Sequence, residues 1–219
     1  MLGPLLGSVI MLSSAGLYLH ATLHGKHRVW AELLDGLQLR GDERVLDLGC
    51  GRGAVLIAVA KRLPEGHVVG VDLWRSVDQS GNNERVTQRN AQLEGVADRI
   101  ELHTADITEL PFPDADFDLV VSSLVIHNLK PTERRGQALD EVVRVLRPGG
   151  RLVVADLFHN REYAARLSGT AEVTDVRQRA LGWRFWFGGP WVATTLTTAT
   201  KLPSHEPSGS TASPEPGPA

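Results

Sequence analysis

The sequence predicts an α/β fold built on a doubly wound, mostly parallel sheet. Five apolar runs rich in Val and Leu alternate with helical patterns between residues 44 and 157. Such alternation is typical of a parallel sheet covered on both faces by helices. The first run leads into a loop with three glycines, which lets a ligand approach the backbone. A chain of 219 residues, 42% hydrophobic and 22% charged, has the ordinary composition of one such domain.

The predicted elements follow one another in a regular order. The periodicity of the apolar residues predicts strands at 45–48, 67–73, 100–105, 117–124 and 151–157. It predicts helices at 26–39, 54–63, 83–94, 132–146 and 161–167. Thr132 is the predicted N-terminal cap of the helix at 132–146. Two further strands, at 173–187 and 191–200, are predicted to form a closing hairpin at Gly188-Gly189-Pro190.

The first 25 residues form an apolar leader without Asp, Glu, Lys or Arg. About 20 apolar residues span the hydrocarbon layer as a helix. The interpretation is a transmembrane helix over 1–25, with Lys26 and Arg28 placing the rest of the chain on the cytoplasmic side. A cleaved signal peptide is disfavoured, because no basic region precedes the apolar run. The alternative is a helix packed on the domain of a cytoplasmic protein, or an artefact of an upstream start site.

The leader sets the domain organisation. Residues 26–201 are predicted to form the globular domain, and the Pro-, Ser- and Gly-rich residues 202–219 a disordered tail. Five aromatic residues lie around the closing hairpin: Trp183, Phe185, Trp186, Phe187 and Trp191. Packing in the core would explain some of them, and contact with a membrane surface or with an apolar ligand would explain the rest.

Charge and cysteine content narrow the function classes. The net charge of −3 offers no basic face for nucleic acid. Cys50 is the only cysteine, which excludes a disulfide within the chain and a cysteine-based metal cluster, and it is expected to be a small apolar filler. No set of His, Asp and Glu has clear metal-ligand spacing, so no metal site is predicted.

The glycine loop fits two classes of ligand. Gly49-x-Gly51-x-x-Ala54, with Asp72 at the end of the second run, satisfies a loose dinucleotide pattern. Asp47, just ahead of the glycines, would repel a pyrophosphate by about 1–4 kcal/mol and would attract an ammonium or a sulfonium. The loop therefore favours S-adenosylmethionine, while an NAD(P)-dependent oxidoreductase remains the alternative.

Four motifs occur in order between residues 40 and 156: Val-Leu-Asp-Leu-Gly-Cys-Gly-Arg-Gly, Val-Val-Gly-Val-Asp, Ala-Asp with Leu-Pro-Phe-Pro-Asp and Phe-Asp-Leu-Val, and Leu-Arg-Pro-Gly-Gly-Arg-Leu. In these residues the chain resembles the class I S-adenosylmethionine-dependent methyltransferases, especially the small-molecule branch of ubiquinone/menaquinone-biosynthesis enzymes. The resemblance implies a Rossmann-like sheet of five parallel strands plus a closing hairpin, seven strands in all. It implies S-adenosylmethionine as cofactor and a small or lipophilic acceptor. A non-catalytic S-adenosylmethionine-binding protein is a second alternative.

The resemblance also implies a set of cofactor-binding residues. Asp47, Gly49 and Gly51 would face the methionine part of the cofactor. Asp72 would accept both ribose hydroxyls, since a carboxylate accepts two O–H bonds at once.

The adenine end is expected to contact residues after the second and third strands. Leu73 or Trp74 would pack on the adenine face. Asp106 would accept from the exocyclic amine, and Ile107 would offer its backbone N–H to the ring.

The acceptor end is expected after the fourth strand. Ser122 and Ser123 would line the transfer site, and His127 would orient or deprotonate the acceptor. The alternative for His127 is a loop histidine that only shapes the pocket. His159 is a weaker candidate, and His103 is expected to be structural. Methyl transfer from a sulfonium gains much from positioning, so a base is not required.

Overall fold

One seven-stranded sheet organises the chain. The computed structural model describes residues 2–75 and 81–203. Its strands, in chain order, are β1 (Arg44–Leu48), β2 (His67–Asp72), β3 (Ile100–Thr104), β4 (Phe117–Ser123), β5 (Leu146–Asp156), β6 (Val173–Ala180) and β7 (Thr195–Lys201). They lie in the order β3-β2-β1-β4-β5-β7-β6. β1 to β5 are parallel, while β7 pairs antiparallel with both β5 and β6. The predicted doubly wound sheet with a closing antiparallel pair is confirmed.

Six α-helices accompany the sheet in the described residues: α1 (Leu2–His20), α2 (Lys26–Gly36), α3 (Ala54–Ala60), α4 (Glu84–Leu93), α5 (Thr132–Val145) and α6 (Asn160–Ser168). Two apolar cores lie one on each face of the sheet. α5 and α6 contribute to one core, and α2, α3 and α4 to the other. Neighbouring residues of β4 enter opposite cores, Val120 one and Val121 the other, as the alternation of side chains along a strand requires.

The amino-terminal helix is continuous from α1 into α2 through a π-helical turn at Ala21–Gly25. The segment Leu6–Gly36 is long and apolar enough to cross a membrane, and its most apolar 18-residue window is only 6% buried. From the π turn onward the helix packs on the domain. Trp30 is 1% exposed, and a Cβ on Gly25 would lie 1.7 Å from the carbonyl oxygen of Arg184. The exposed apolar part therefore ends before α2.

Three details of the predicted elements need correction. The strands of the closing hairpin are shorter than expected, because a loop with two 3₁₀ turns and one bridge, Trp186 to Ala193, separates β6 from β7. This loop buries Phe185 fully in the core. Thr132 does not cap α5: Pro131 occupies the cap position, and the Thr132 hydroxyl accepts from the Arg135 guanidinium instead. β5 begins at Leu146, earlier than the predicted residue 151. Residues 204–219 of the predicted tail lie outside the described part of the chain.

Candidate active site

A cavity of about 400 Å³ opens at the carboxyl ends of the parallel strands. Open α/β sheets bind their ligands at this edge. Loops after β1, β2, β3 and β4 form one side of the cavity, and the amino-terminal helix forms the other. Of the predicted cofactor-binding residues, the cavity is lined by Asp47, Gly49, Gly51, Asp72, Leu73, Asp106 and Ile107.

The glycine loop uses most of its backbone N–H groups within the protein. Gly49 and Cys50 both donate to the Val71 carbonyl, at 2.7 and 3.1 Å, and Gly51 donates to Oδ2 of Asp72 at 2.9 Å. Gly49 has a φ of 67°, and a Cβ there would lie 2.4 Å from Val125. A pyrophosphate site needs backbone N–H groups that point at the ligand. The loop is therefore poorly suited to a dinucleotide.

Asp47 is a buried carboxyl with one unused oxygen. It is 1% exposed and accepts from the backbone N–H of Leu56, at the start of α3. Its Oδ2 has no hydrogen-bond partner among the described residues. Burial, and then the nearby Asp72, raise the pKa of Asp47 well above its ordinary value. A cationic ligand would relieve this cost, which fits the ammonium of S-adenosylmethionine.

Asp72 holds the loops on both sides of the cavity. Besides Gly51, it accepts from the Trp74 backbone at 2.6 Å and from Nδ2 of Asn82 at 3.1 Å, both on Oδ1. A carboxylate has about four lone-pair positions, so these three bonds leave one position for a ribose hydroxyl. Asp72 can accept from a second ribose hydroxyl only if Asn82 turns away. Asn82 lines the cavity, and its Oδ1 is buried without a partner in the described chain. The sequence reasoning missed Asn82, whose only signal is its place beside Asn83, the cap of α4.

The adenine end contains Leu73, Asp106 and Ile107. Trp74 does not line the cavity, and its indole N–H donates to Oγ1 of Thr104 at 2.8 Å. Asp106 accepts from Thr108 and from Arg134, a residue that the sequence reasoning missed. Burial opposes ionisation of Asp106, but these donors outweigh it and hold its pKa below the ordinary value.

The two serines of β4 have different environments. Ser123 lines the cavity, and its Oγ lies 2.9 Å from the indole nitrogen of Trp30. Ser122 is fully buried, does not line the cavity and donates to the Leu48 carbonyl at 3.2 Å. The alternation of side chains along the strand explains the difference.

His127 lies beside the cavity rather than in its lining. Its Nδ1 is 2.5 Å from Oδ1 of Asp156, and its backbone N–H donates to Oδ2 of the same residue at 3.0 Å. Asp156, at the end of β5, is fully buried and also accepts from the Tyr163 hydroxyl at 3.3 Å. With Asp156 ionised, Nδ1 is the donor and Nε2 is left as an acceptor. Asp156 was missed because a strand-end Asp after Val-Val-Ala carries no motif of its own.

The remaining candidates have local partners. Nδ1 of His159 lies 3.4 Å from Glu162, and Nε2 of His103 lies 2.6 Å from Glu101. Burial above all raises the pKa of Cys50, which keeps its thiol neutral. Within residues 2–75 and 81–203, no group of three or more His, Cys, Asp or Glu side chains is placed to hold a metal.

The amino-terminal helix is a wall of the cavity that the sequence reasoning did not anticipate. Tyr18, Thr22, Lys26 and Trp30 line the cavity at intervals of four residues. An α-helix has 3.6 residues per turn, so such a row drifts around the helix, and the wider π turn at Ala21–Gly25 offsets that drift. The predicted boundary at residue 26 therefore cuts through this wall.

Comparison with known proteins agrees with these features. Residues 46–154 match the family described as Methyltransferase domain. The ubiquinone/menaquinone biosynthesis C-methyltransferase UbiE of Roseobacter denitrificans is 36% identical over 133 residues, which cover 60% of this chain and 50% of that protein. The demethylmenaquinone methyltransferase of Lactiplantibacillus plantarum is 38% identical over 131 residues, covering 59% and 52%. The chain thus spans about half the length of the curated relatives it matches.

Solved structures with low identity share the fold. A geranyl diphosphate methyltransferase in complex with S-adenosylmethionine has a TM-score of 0.61 at 17% identity, covering 78% of this chain and 84% of that one. The [4+2]-cyclase SpnF has a TM-score of 0.64 at 18% identity, covering 80% and 82%. The second likeness shows that this fold is not restricted to proteins named for methyl transfer.

Proposed function

The chain belongs to the class I S-adenosylmethionine-dependent methyltransferases, and we propose that it transfers a methyl group to a small, lipophilic acceptor at a membrane surface. The observation that carries the proposal is the buried oxygen of Asp47, which has no partner among residues 2–75 and 81–203, in a cavity that also contains Asp72 and Asp106. The proposal assigns these three carboxylates to the ammonium, the ribose diol and the exocyclic amine of the cofactor.

Each part of the cofactor has its own proposed contacts in the cavity. Asp47 receives the ammonium, Asp72 a ribose hydroxyl and Asp106 the adenine amine, while Leu73 packs on the ring. When bound, S-adenosylmethionine supplies an electrophilic methyl group on a sulfonium. The chain then has to hold the acceptor atom in line and exclude water, which gives much of the acceleration in such a displacement.

The acceptor side of the cavity is largely apolar. Tyr18, Val125, Leu129 and Phe187 line it. Such a wall favours an apolar ring or chain over a charged acceptor. The names of the ubiquinone- and menaquinone-biosynthesis relatives support an acceptor of that lipophilic kind.

His127 is the proposed acid–base residue. Asp156 fixes its Nδ1, so that Nε2 is available to accept a proton from an acceptor hydroxyl or acidic carbon. The exposed ring of Phe158 lies beside it, with its centroid 6.4 Å from that of His127.

The proposed membrane tether is the exposed part of the amino-terminal helix. Met11 and Leu12 are 75% and 73% exposed, and the apolar character continues all around α1. Trp183 is exposed beside His20, with ring centroids 5.1 Å apart, as aromatic residues are at a membrane–water interface. With Lys26 at the inner boundary, the domain lies on the cytoplasmic side, and the cavity opens beside the bilayer.

The experiment is a transfer assay with the full chain. Methyl-labelled S-adenosylmethionine is incubated with lipid extracts, and products are identified by mass. The proposal expects a labelled lipophilic product, absent with Asp47→Asn. Stoichiometric cofactor binding without any labelled product, across lipid extracts and polar metabolite pools, would favour a non-catalytic cofactor-binding protein.

A further inference from the structure

Two uncharged segments of the chain come together beside the cavity. One is the apolar leader ahead of Lys26, and the other is residues 185–200, which contain no Asp, Glu, Lys or Arg. The first part of the second segment, residues 185–193, lies between β6 and β7 and is named the aromatic loop. Its aromatic residues are Phe185, Trp186, Phe187 and Trp191. Trp191 is 66% exposed, so the loop presents an aromatic surface outside the core.

The aromatic loop lies along the exposed helix α1. A Cβ on Gly188 would lie 3.9 Å from the carbonyl oxygen of Ser14. The rings of Tyr18 and Phe187 meet edge-on, with centroids 5.9 Å apart. Tyr18 precedes Lys26 by about 12 Å of helix, and Ser14 lies one turn further on. Both contacts are therefore on the membrane side of Lys26, the proposed inner boundary.

Charged side chains mark one level at which both segments enter the domain. Arg184, directly ahead of the aromatic loop, forms two bonds of 2.5 and 2.7 Å with Glu32 of α2. Lys26 and Arg28 lie on the same helix, within about two turns of Glu32. Charge at this level, with apolar and aromatic surface beyond it, is the pattern of a protein that meets a bilayer. The aromatic loop is thus placed to enter the membrane together with α1.

The cavity reaches this apolar side at Tyr18 and Phe187, which both line it. Phe187 packs on the fully buried Phe185, with ring centroids 5.7 Å apart, so it is anchored in the core. Tyr18 is 53% exposed and is carried by α1. The edge-on contact between these two rings therefore separates the cavity from the uncharged surface outside. Unlike the ion pair at Glu32, it involves no hydrogen bond that would have to break for the rings to part.

The two sides of the cavity suit ligands that arrive from different surroundings. The carboxylates of Asp47, Asp72 and Asp106 suit a charged cofactor that comes from water, whereas the rim at Tyr18 and Phe187 is apolar. We propose that the acceptor enters the cavity from within the bilayer, between Tyr18 and Phe187, and is a lipid dissolved in the membrane whose apolar chain stays between these two rings. This inference rests on the proposed function and adds to it the route and the class of the acceptor.

The first test uses the unmodified full chain in phosphatidylcholine vesicles with methyl-labelled S-adenosylmethionine. A lipid extract that supports transfer is placed either in the same vesicles as the protein or in separate vesicles. Entry from the bilayer predicts labelled product when protein and lipid share a membrane, and product from separate vesicles only after the vesicles are fused. Equal rates from shared and separate vesicles would show that the acceptor arrives through water and would overturn the route.

The second test closes the rim covalently. Tyr18→Cys with Phe187→Cys places two thiols where the rings now meet, and a short bismaleimide joins them; Cys50 is buried and does not compete. The joined protein should lose the labelled product, while its affinity for S-adenosylhomocysteine, measured by calorimetry, should be unchanged. The same double variant without the reagent should retain transfer.

The matched control joins the same helix to the same loop without closing the rim. Glu32→Cys with Arg184→Cys replaces the ion pair, and the reagent should leave transfer in that protein intact. Transfer that survives closure of the rim, or that is lost equally in the control, would overturn the route. In both cases the proposed function stands, because the unmodified chain still forms product. A lack of labelled product from the unmodified chain in every arrangement would instead overturn the proposed function.

Discussion

Trp30 and Ser123 connect the amino-terminal helix to the end of β4 across the cavity, with the indole nitrogen 2.9 Å from the serine hydroxyl oxygen. Trp30 is 1% exposed, so this hydrogen bond is shielded from water on the indole side. It fixes the helix over the end of the sheet at which the cavity opens. The position of the helix is therefore part of the site's geometry.

Trp30→Phe should loosen this connection. The change keeps an aromatic ring but removes the N–H donor, and the net loss of one such bond is about 1 kcal/mol of unfolding free energy. Affinity for S-adenosylhomocysteine should fall severalfold, because the helix that forms one wall of the cavity is less well held. Chemical denaturation and calorimetry measure the two effects.

Ser123→Ala is the partner variant for this hydrogen bond. If the bond is responsible, the double variant should lose little more than either single variant. Fully additive losses in stability and affinity would show that the two residues act independently.

Asp47→Asn should stabilise the unliganded protein and weaken cofactor binding. The pKa of Asp47 is raised in the folded chain, so ionisation above its ordinary value of 3.8 costs stability. The gain from Asn should be absent below about pH 4, where Asp is protonated in both states, and should grow as the pH rises. Denaturation at several pH values measures this, and calorimetry should show about tenfold or greater loss of affinity for S-adenosylhomocysteine. A variant less stable than the parent at pH 7, with unchanged affinity, would contradict the assigned role.

His127→Gln should separate chemistry from binding. Loss of a positioned acid–base residue lowers kcat by about 10²- to 10⁴-fold, while cofactor affinity should stay the same because His127 lies outside the cavity lining. Single-turnover transfer and calorimetry make the comparison, with His103→Gln as control. Unchanged kcat in His127→Gln would reduce the residue to a structural partner of Asp156.

Charges on the exposed face of α1 should release the protein from membranes. Met11→Lys with Leu12→Lys places two charges in the proposed span, each costing about 2.5–3.5 kcal/mol at the centre of a bilayer. The unmodified chain should sediment with membranes and resist carbonate extraction, and the double variant should not. Leu93→Lys, at a residue of α4 that is 76% exposed, is the control and should behave as the unmodified chain. An unmodified chain that is soluble and monodisperse without detergent would contradict the tether.

The alternation of strands and helices along the chain, and the glycine loop, could be predicted because local patterns determine them. Val-rich runs predict β1, β2, β4 and β5, and the strand-end positions of Asp47, Asp72 and Asp106 place them together at one edge. Whether a residue at such an end faces the cavity was harder to predict. Ser122 and Ser123 are adjacent, and which one faces the ligand depends on the register of the strand.

Features that depend on contacts between distant segments could not be predicted. Tyr18 and Thr22 belong to the cavity only because the loop around Arg184 holds the helix against the sheet. Asp156 supports His127 across 29 residues of sequence. No local sequence pattern indicates either contact. An apolar leader has the same sequence pattern whether it enters a membrane or covers a pocket.

The most direct test of the account is a calorimetric titration of the full chain with S-adenosylhomocysteine and, separately, with NAD. Oδ2 of Asp47, unpartnered in the described part of the chain, and the occupied N–H groups of the glycine loop predict binding of S-adenosylhomocysteine at one site and no measurable binding of NAD. Binding of NAD with micromolar affinity, and none of S-adenosylhomocysteine, would contradict the account.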